Sequence, residues 1–558
     1  MRTLFIAIAS VLLAGMTIMS CEEKDDFVPT LLLDVQDAIQ VSNRGGEFSI
    51  DVLSNLSWEA NTTANWITLE ESTGEKGKRA LSFSVTENEN DERSSTITVH
   101  SQEGTQAELT VVQESGLTLN IFVKEGAEGS GKSWEDPTNL SNALKLAITG
   151  SSIFIAEGHH TPMNIVSGGN SDDPRDRTFE VASNMTLIGG FPAQASSGAT
   201  PDPDAYPTIL SGELSDGNNS YHVVTISAPQ SDEEQVVLRG LTISDGQADG
   251  SKSSATIQGR DFRREYGGGL IIGGSRVVLE NCAVKNNTSD KYVAGVYVFD
   301  EAEVTILHSK LNNNASKSNG GGLWANNSTV FAYHSEFNEN SGGTAPAVHA
   351  YPNAEIYLFN SEIRDNKGRS FGAAFYARAD SKGALVNCLV TGNESTSSNG
   401  GGGVMMYDNC EMEIISTTIT ENTIKGPGGG VYRRKGENIL SIYNSIISGN
   451  TQKEGTMNID VYESDADPAK ILASTSGEVV FDANGQIEED AAFKAISMLG
   501  DDFTPIGDDN PALTYGMTPN HLKEIDYLFP ESEKDWLDQD FHGHDRSGST
   551  TMGATLPE

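Results

Sequence analysis

His349, Tyr376 and Arg378 have the types and spacing to do chemistry together. On one shared face, the guanidinium would neutralise a ligand carboxylate and the imidazole or phenol would take the proton beside it, as in a β-elimination. Hydrolysis would instead need two carboxylates about 5–10 Å apart across a sugar ring. Asp380 and Asp408 lie at nearby turns, but the strands themselves show no outward acidic pair, which loops could provide. Whether the three side chains meet depends on the elements that carry them.

Those elements repeat. Asn287, Asn314, Asn340, Asn366, Asn393, Asn422 and Asn450 are spaced by 27, 26, 26, 27, 29 and 28 residues. Three residues before each lies an apolar side chain: Val284, Leu311, Phe337, Ile363, Val390, Ile419 and Ile447. Five before lies a small one: Cys282, Ser309, Ser335, Ser361, Cys388, Thr417 and Ser445. Glycine-rich turns such as Gly267-Gly268-Gly269, Gly320-Gly321-Gly322, Gly400-Gly401-Gly402-Gly403 and Gly428-Gly429-Gly430 open most units. A repeat of this length, with short strands and no helical period, predicts a right-handed parallel β-helix whose coils stack in register. Stacking puts like residues about 4.8 Å apart, so the seven Asn are expected to form an inward amide ladder with a structural role. Cys282 and Cys388 then sit four coils, about 19 Å, apart, too far for a disulfide. Without Cys21, three cysteines remain with no CxxC spacing, which argues against a disulfide framework or a structural zinc site.

The coil register sorts side chains by face. Leu270, Val296, Leu323, Val348, Phe375, Val404 and Val431 read as inward. The next column, Ile271, Tyr297, Trp324, His349, Tyr376, Met405 and Tyr432, then faces outward, as do Phe299, Asn326, Tyr351, Arg378, Tyr407 and Arg434 two residues on. Exposed aromatics in two stacked columns would suit a linear glycan along the helix axis, at roughly one sugar per coil. The expected ligand contacts are Tyr297, Trp324, Tyr376 and Tyr432 as platforms, with His349, Tyr351, Arg378 and Arg434 as polar partners. On that reading Trp324→Ala weakens binding and leaves folding intact. The alternative is an aromatic stripe covered by a loop or a neighbouring domain, or simple sheet-stabilising stacks. Because the trio matches no lyase family's own motif, binding of a polysaccharide or cell-surface glycan without turnover is the leading function. A polysaccharide lyase or glycoside hydrolase acting on acidic polysaccharide comes second, and a purely structural adhesin or spacer third. Neither a metal nor another cofactor is called for. Asp172-Asp173 and Asp501-Asp502 offer oxygen ligands for calcium, although lone acidic pairs ordinarily sit in solvated loops, and His542-x-His544 is a weak metal signal.

The chain has 558 residues, with Lys+Arg 37 against Asp+Glu 79, a net charge of −42. Such a field repels nucleic-acid phosphates, so no nucleic-acid partner is expected. Abundant Gly, clustered instead of recurring every third residue, excludes collagen and points to a turn-rich all-β protein. Arg2 precedes an apolar run from Leu4 to Met19 that is too short for an ordinary spanning helix. It ends at Thr17-Ile18-Met19-Ser20-Cys21, which resembles a bacterial lipoprotein signal and implies lipidation of Cys21. The following Glu22-Glu23-Lys24-Asp25-Asp26 resembles the surface-export tag of Bacteroidetes lipoproteins. Together these imply a lipid anchor in the cell outer membrane and a body facing the exterior.

Short alternating strands run from residue 30 to 116, with Trp58, Trp66-Ile67, Gly77, Asn88, Arg93, Ile97, Val99 and Val111-Val112-Gln113 in an order that resembles the BACON domain. That resemblance implies an Ig-like sandwich associated with carbohydrate binding. The tryptophans themselves read as core anchors, so the domain is expected to act as a spacer, with glycan contact as the alternative. The Gly-Gly opening and the apolar-x-x-Asn closing of each coil, as in Phe337-Asn338-Glu339-Asn340, resemble polymorphic outer-membrane protein repeats. Residues 121–158 are similar to the start of the pectate-lyase-like superfamily, and Leu140, Ala143, Leu144 and Ala147 would plug the open end as a helix. The tail Asp538-Gln539-Asp540-Phe541-His542-Gly543, Arg546 and Met552-Gly553-Ala554 resembles a closing segment. The expected order is signal peptide 1–20, acidic linker 21–29, β-sandwich 30–116, and β-helix 117–558 with its cap and closing segment.

Overall fold

The computed structural model describes residues 28–557 apart from 36–37, 42–44, 87, 89–91, 114–118, 252, 373, 453–460, 464–468, 477 and 494–497. The expected signal peptide and Cys21 lie outside these residues. The chain divides into two compact units, Met1–Leu117 and Thr118–Glu558.

The first unit is a β-sandwich. A 4-stranded sheet runs in the order Leu31–Leu33, Gly46–Ser54, Gly77–Val85, Ile67–Leu69. A 5-stranded sheet runs Ala38–Val41, Gln106–Gln113, Arg93–Ser101, Trp58–Thr62, Thr73–Gly74. Apolar residues alternate with polar ones along the strands, which buries Leu81, Phe83, Ile97, Val99 and Val111 in one core with Trp58. Trp66 is half-buried, with the Arg93 guanidinium 4.6 Å above its ring. Both tryptophans are thus engaged by the sandwich itself.

The second unit is a parallel β-helix. Its longest wall is a 14-stranded sheet in which strands from Asn120–Val123 to Lys470–Leu472 pair in parallel, coil upon coil. A 10-stranded wall runs from Phe179–Val181 to Val461–Glu463. Shorter ladders of three-residue and two-residue strands close each turn. Leu279, Ile306, Ala332, Leu358, Leu385, Ile414 and Ile442 pair in register and fill the bore. The helix Leu140–Leu146, started by the Asn139 side chain, seats Leu140 and Ala143 on that core.

The seven Asn are buried and joined side-chain amide to side-chain amide, except that Asn340 reaches Asn366 Oδ1 through its backbone N–H at 2.8 Å. Asn287 Nδ2 donates to Asn314 Oδ1 at 3.0 Å, and Asn366 Nδ2 to Asn393 Oδ1 at 2.8 Å. Asn340 Nδ2 donates to the Leu311 carbonyl at 2.7 Å. The small column forms a second ladder: the Ser309 backbone N–H donates to Ser335 Oγ at 3.2 Å, and Ser335 N–H to Ser361 Oγ at 3.1 Å. Cys282 and Cys388 occupy places in it as free thiols, which burial pushes up to about 11 and about 12.

The C-terminal segment lies over the outer side of the long wall. Leu522, Phe529 and Leu537 pack on Tyr357, Phe359, Val386, Ile415 and Tyr443. Beneath it, Glu413 accepts the Leu528 N–H at 2.9 Å, and burial pushes its carboxyl up to about 7. Arg546 is buried in the tail and donates to the carbonyls of Gln539, Thr551, Gly553 and Ala554. His542 and His544 belong to the same closure, where the Asp540 carboxylate accepts both their backbone N–H groups.

Candidate ligand-binding face

The 10-stranded wall carries the residues singled out above. Its strands pair in the register Leu270–Val296–Leu323–Val348–Phe375–Val404–Val431, and all seven lie in the bore. The neighbouring column Ile271–Tyr297–Trp324–His349–Tyr376–Met405–Tyr432 is likewise in register and points away from that bore. The expectation that it forms an exposed platform needs correction. Tyr297 is 8%, Trp324 4%, His349 4%, Tyr376 2% and Tyr432 7% exposed. These five side chains form a second apolar layer outside the bore.

Two kinds of cover produce this burial. Over the first coils lies the antiparallel hairpin of Ser254–Ile257 and Arg260–Arg263, followed by Tyr266. Tyr266 stacks on Tyr292 at 4.1 Å and approaches Tyr297 at 4.5 Å, and Phe262 meets Phe299 edge-on at 5.2 Å. Over the later coils the glycine turns fold back on the rings. Gly400 has φ +98°, and a Cβ there would stand 2.2 Å from Cδ1 of Tyr432. The run Gly400-Gly401-Gly402-Gly403 opens a coil and also lets backbone close over an aromatic ring. That run is the sequence signal that could have indicated the burial.

His349 lies between Trp324 at 4.6 Å and Tyr376 at 5.2 Å, and neither ring nitrogen has a hydrogen-bond partner among the described residues. Burial, with the Arg378 charge adding to it, pushes its pKa down to about 3. Burial also raises the Tyr376 phenol well above its usual range. The proton-abstracting half of the proposed trio is therefore enclosed, and only Arg378 reaches the surface.

The outermost column differs. Phe299, Asn326, Tyr351, Arg378, Tyr407 and Arg434 are all half-exposed. The Arg378 guanidinium stands 5.0 Å from the Tyr351 ring and 5.3 Å from Tyr407. Arg434 stands 5.0 Å from Tyr407 and 5.1 Å from Phe371, a neighbour that the repeat gave no reason to name. Cation and ring therefore alternate, and each covers the faces of the next. In-register stacking thus turns faces along the helix axis and edges toward solvent, so this row offers N–H and O–H groups, not flat platforms. Trp324 supports it from beneath, donating from Nε1 to the Tyr351 carbonyl at 2.7 Å.

The nearby acids are partly engaged. Asp408 Oδ2 lies 3.4 Å from Arg378 Nε, and Asp380 Oδ1 accepts from Asn409 Nδ2 at 3.4 Å. Both residues occupy left-handed turn positions, with φ of 64° and 60°, where a short polar side chain is favoured. Of the acidic pairs considered for calcium, Asp173 accepts Arg175 N–H at 3.1 Å and the Tyr221 hydroxyl at 3.0 Å, and Asp502 accepts Thr504 N–H at 3.1 Å.

Residues 56–114 match the family model BACON, described as "Putative binding domain, N-terminal". Residues 216–357 match the model of a right-handed β-helix region. The chain joins a BACON domain to a right-handed β-helix. Among solved structures the β-helix chain is similar to the pectate lyase Pel9A, at 12% identity over 64% of this chain and 79% of that one, with a TM-score of 0.41. It is also similar to the Family 28 exopolygalacturonase of Yersinia enterocolitica, at 11% identity over 81% and 98%, with a TM-score of 0.25. A third similarity is to XylC in complex with xylose, at 8% identity over 78% and 98%, with a TM-score of 0.34. No curated protein sequence matches the chain.

Proposed function

We propose that this protein is an outer-membrane lipoprotein, held by Cys21 and facing the exterior, whose β-helix binds a polysaccharide or cell-surface glycan along Tyr351, Arg378, Tyr407 and Arg434. The observation that carries the reading is the half-exposed alternation of guanidinium and phenol on consecutive coils. With coils about 4.8 Å apart, Arg378 and Arg434 stand about 10 Å apart and can meet successive groups of one linear ligand. Tyr297, Trp324, His349, Tyr376 and Tyr432 serve as the packed layer that holds the row straight. Binding without turnover is favoured because His349 and Tyr376 are enclosed.

A second reading, a lyase or hydrolase acting on acidic polysaccharide, draws on Asp380 and Asp408, which sit on adjacent coils joined by an Asp380 N–H to Asp408 carbonyl bond of 3.0 Å. A glycan array on the full chain, followed by reducing-sugar and unsaturated-uronate assays on the ligands found, separates the two. Retention without product supports binding, and product formation lost in Asp380→Asn or Asp408→Asn supports the enzyme. Cys21→Ser should release the protein from the membrane fraction, and unchanged fractionation would defeat the anchor.

A further inference from the structure

The first coils carry a second, separate concavity. On the long wall, Phe122, Phe154 and Ile188 pair in one column that points away from the bore. Farther along this wall the outer side is packed under the C-terminal segment, whereas these three remain half-exposed. Phe122 and Phe154 stack at 5.3 Å with 22° between their planes. Trp134 meets Phe122 at 5.1 Å and Phe191 at 5.2 Å, which gives the floor a side wall. The result is a cavity of about 470 Å³ between the hairpin Glu128–Ser133/Asp136–Thr138 and the loop 192–207. That volume lies in the range of small-molecule sites, about 300–1,000 Å³.

Both walls are pinned. Ala193 N–H donates to Glu157 Oε1 at 2.8 Å, and Lys124 Nζ donates to the Ala195 carbonyl at 3.2 Å. Across the cavity, the Ser130 backbone N–H and hydroxyl both donate to Asp136 Oδ2. Pre-formed walls reduce the ordering cost of binding.

The lining decides the ligand class. The floor is aromatic and apolar, while the rim carries the exposed Asn120, Lys132 and Glu135. Arg239 closes one end but is held by Glu280 through its Nε at 2.8 Å and its Nη2 at 2.7 Å. The rim thus sets one cation, Lys132, against one anion, Glu135, around a floor suited to C–H contacts. An alkyl chain would require an apolar rim as well, and an anion would require a cationic excess. A neutral pyranose, with an apolar C–H face and a ring of hydroxyls, matches both parts. We infer that this cavity binds the end of a neutral saccharide, independently of the Tyr351–Arg434 row.

The test uses the full chain with the methyl β-glycosides and β-linked disaccharides of glucose, galactose, mannose and xylose, followed by saturation-transfer NMR and calorimetry. At least one is expected to bind with a Kd on the order of 1 mM or tighter. Phe122→Leu, which keeps an apolar floor, and the rim double variant Lys132→Ala/Glu135→Ala should each weaken it about tenfold at unchanged melting temperature. Arg378→Ala/Arg434→Ala should leave it unchanged, so failure at the row and failure here are distinguishable. Three results would overturn the inference. These are no binding of any of these sugars, binding indifferent to both cavity variants, or occupation by laurate instead of a sugar.

Discussion

The asparagine ladder and the tyrosine–arginine row are built by the same device, one side chain per coil in register, and they end as opposites. An amide both donates and accepts, so each Asn can satisfy the next, and the column closes on itself inside the protein. Guanidinium groups only donate. Stacked on phenol rings they satisfy the ring faces, and at half-exposure their edges face outward, with Arg378 Nε turned to Asp408 Oδ2 at 3.4 Å. Stacking therefore makes a closed seam from an amphoteric side chain and a half-exposed row of donors from a one-sided one. The buried aromatic layer between these extremes is a seam of a third kind, sealed by cover, with hydrogen bonds only at its rim, such as Trp324 Nε1 to the Tyr351 carbonyl.

That contrast can be broken in order of effect. Trp324→Ala should be the most damaging change, because it empties a packed layer and removes the bond to the Tyr351 carbonyl. A loss of about 3–5 kcal/mol is expected, read as a lowered denaturation midpoint. An unshifted midpoint would mean the layer is open in solution. Asn340→Ala follows at about 3 kcal/mol, since it deprives the Leu311 carbonyl and the Asn314 N–H of their partners. Hydrogen-exchange protection should fall first in the coils on either side. Protection unchanged there would show that the ladder is decorative.

His349 gives the next effect. Its folded pKa, about 3, lies below its ordinary value of 6.5, so the unfolded chain binds the extra proton between those limits. Stability contributed by the neutral ring is full above pH 6.5 and is lost as pH falls toward 3. His349→Phe should flatten that part of the stability–pH curve by a few kcal/mol. Glu413 acts with the opposite sign: its raised pKa of about 7 makes stability fall as pH rises from about 4.5 to 7, and Glu413→Gln should remove that slope. Thermal melts across pH 3–8 read both. A wild-type slope surviving in either variant would reassign it. The smallest change in stability belongs to Arg378→Ala/Arg434→Ala. Melting should be nearly unaltered, whereas binding of the glycan found on the array should weaken about tenfold. A large melting shift without a binding change would turn the row into a seam.

The register of the coils was legible because it is local. Side chains alternate with period two along a strand, and the apolar-x-x-Asn closure marks every turn, so inward Leu323 and outward Trp324 could be told apart from the chain alone. Stacking order follows from the repeat as well, and Arg378 and Tyr407 do stand in one column. Exposure was not legible from this pattern. Outward means away from the bore, and it became exposed only where nothing else lay on top.

The amino-acid sequence by itself therefore determined the coil, its ladder and the direction of each side chain, since these depend on neighbours one residue or one repeat away. Only the tertiary structure decided which outward columns meet solvent. Two of the covering pieces, the hairpin before Tyr266 and the C-terminal segment with Phe529, fall outside the repeat; the glycine turns over the later coils lie within it. Tyr333 in the wall and Glu533 in the tail, 200 residues apart, are joined by a 2.8 Å hydrogen bond that no periodicity could encode.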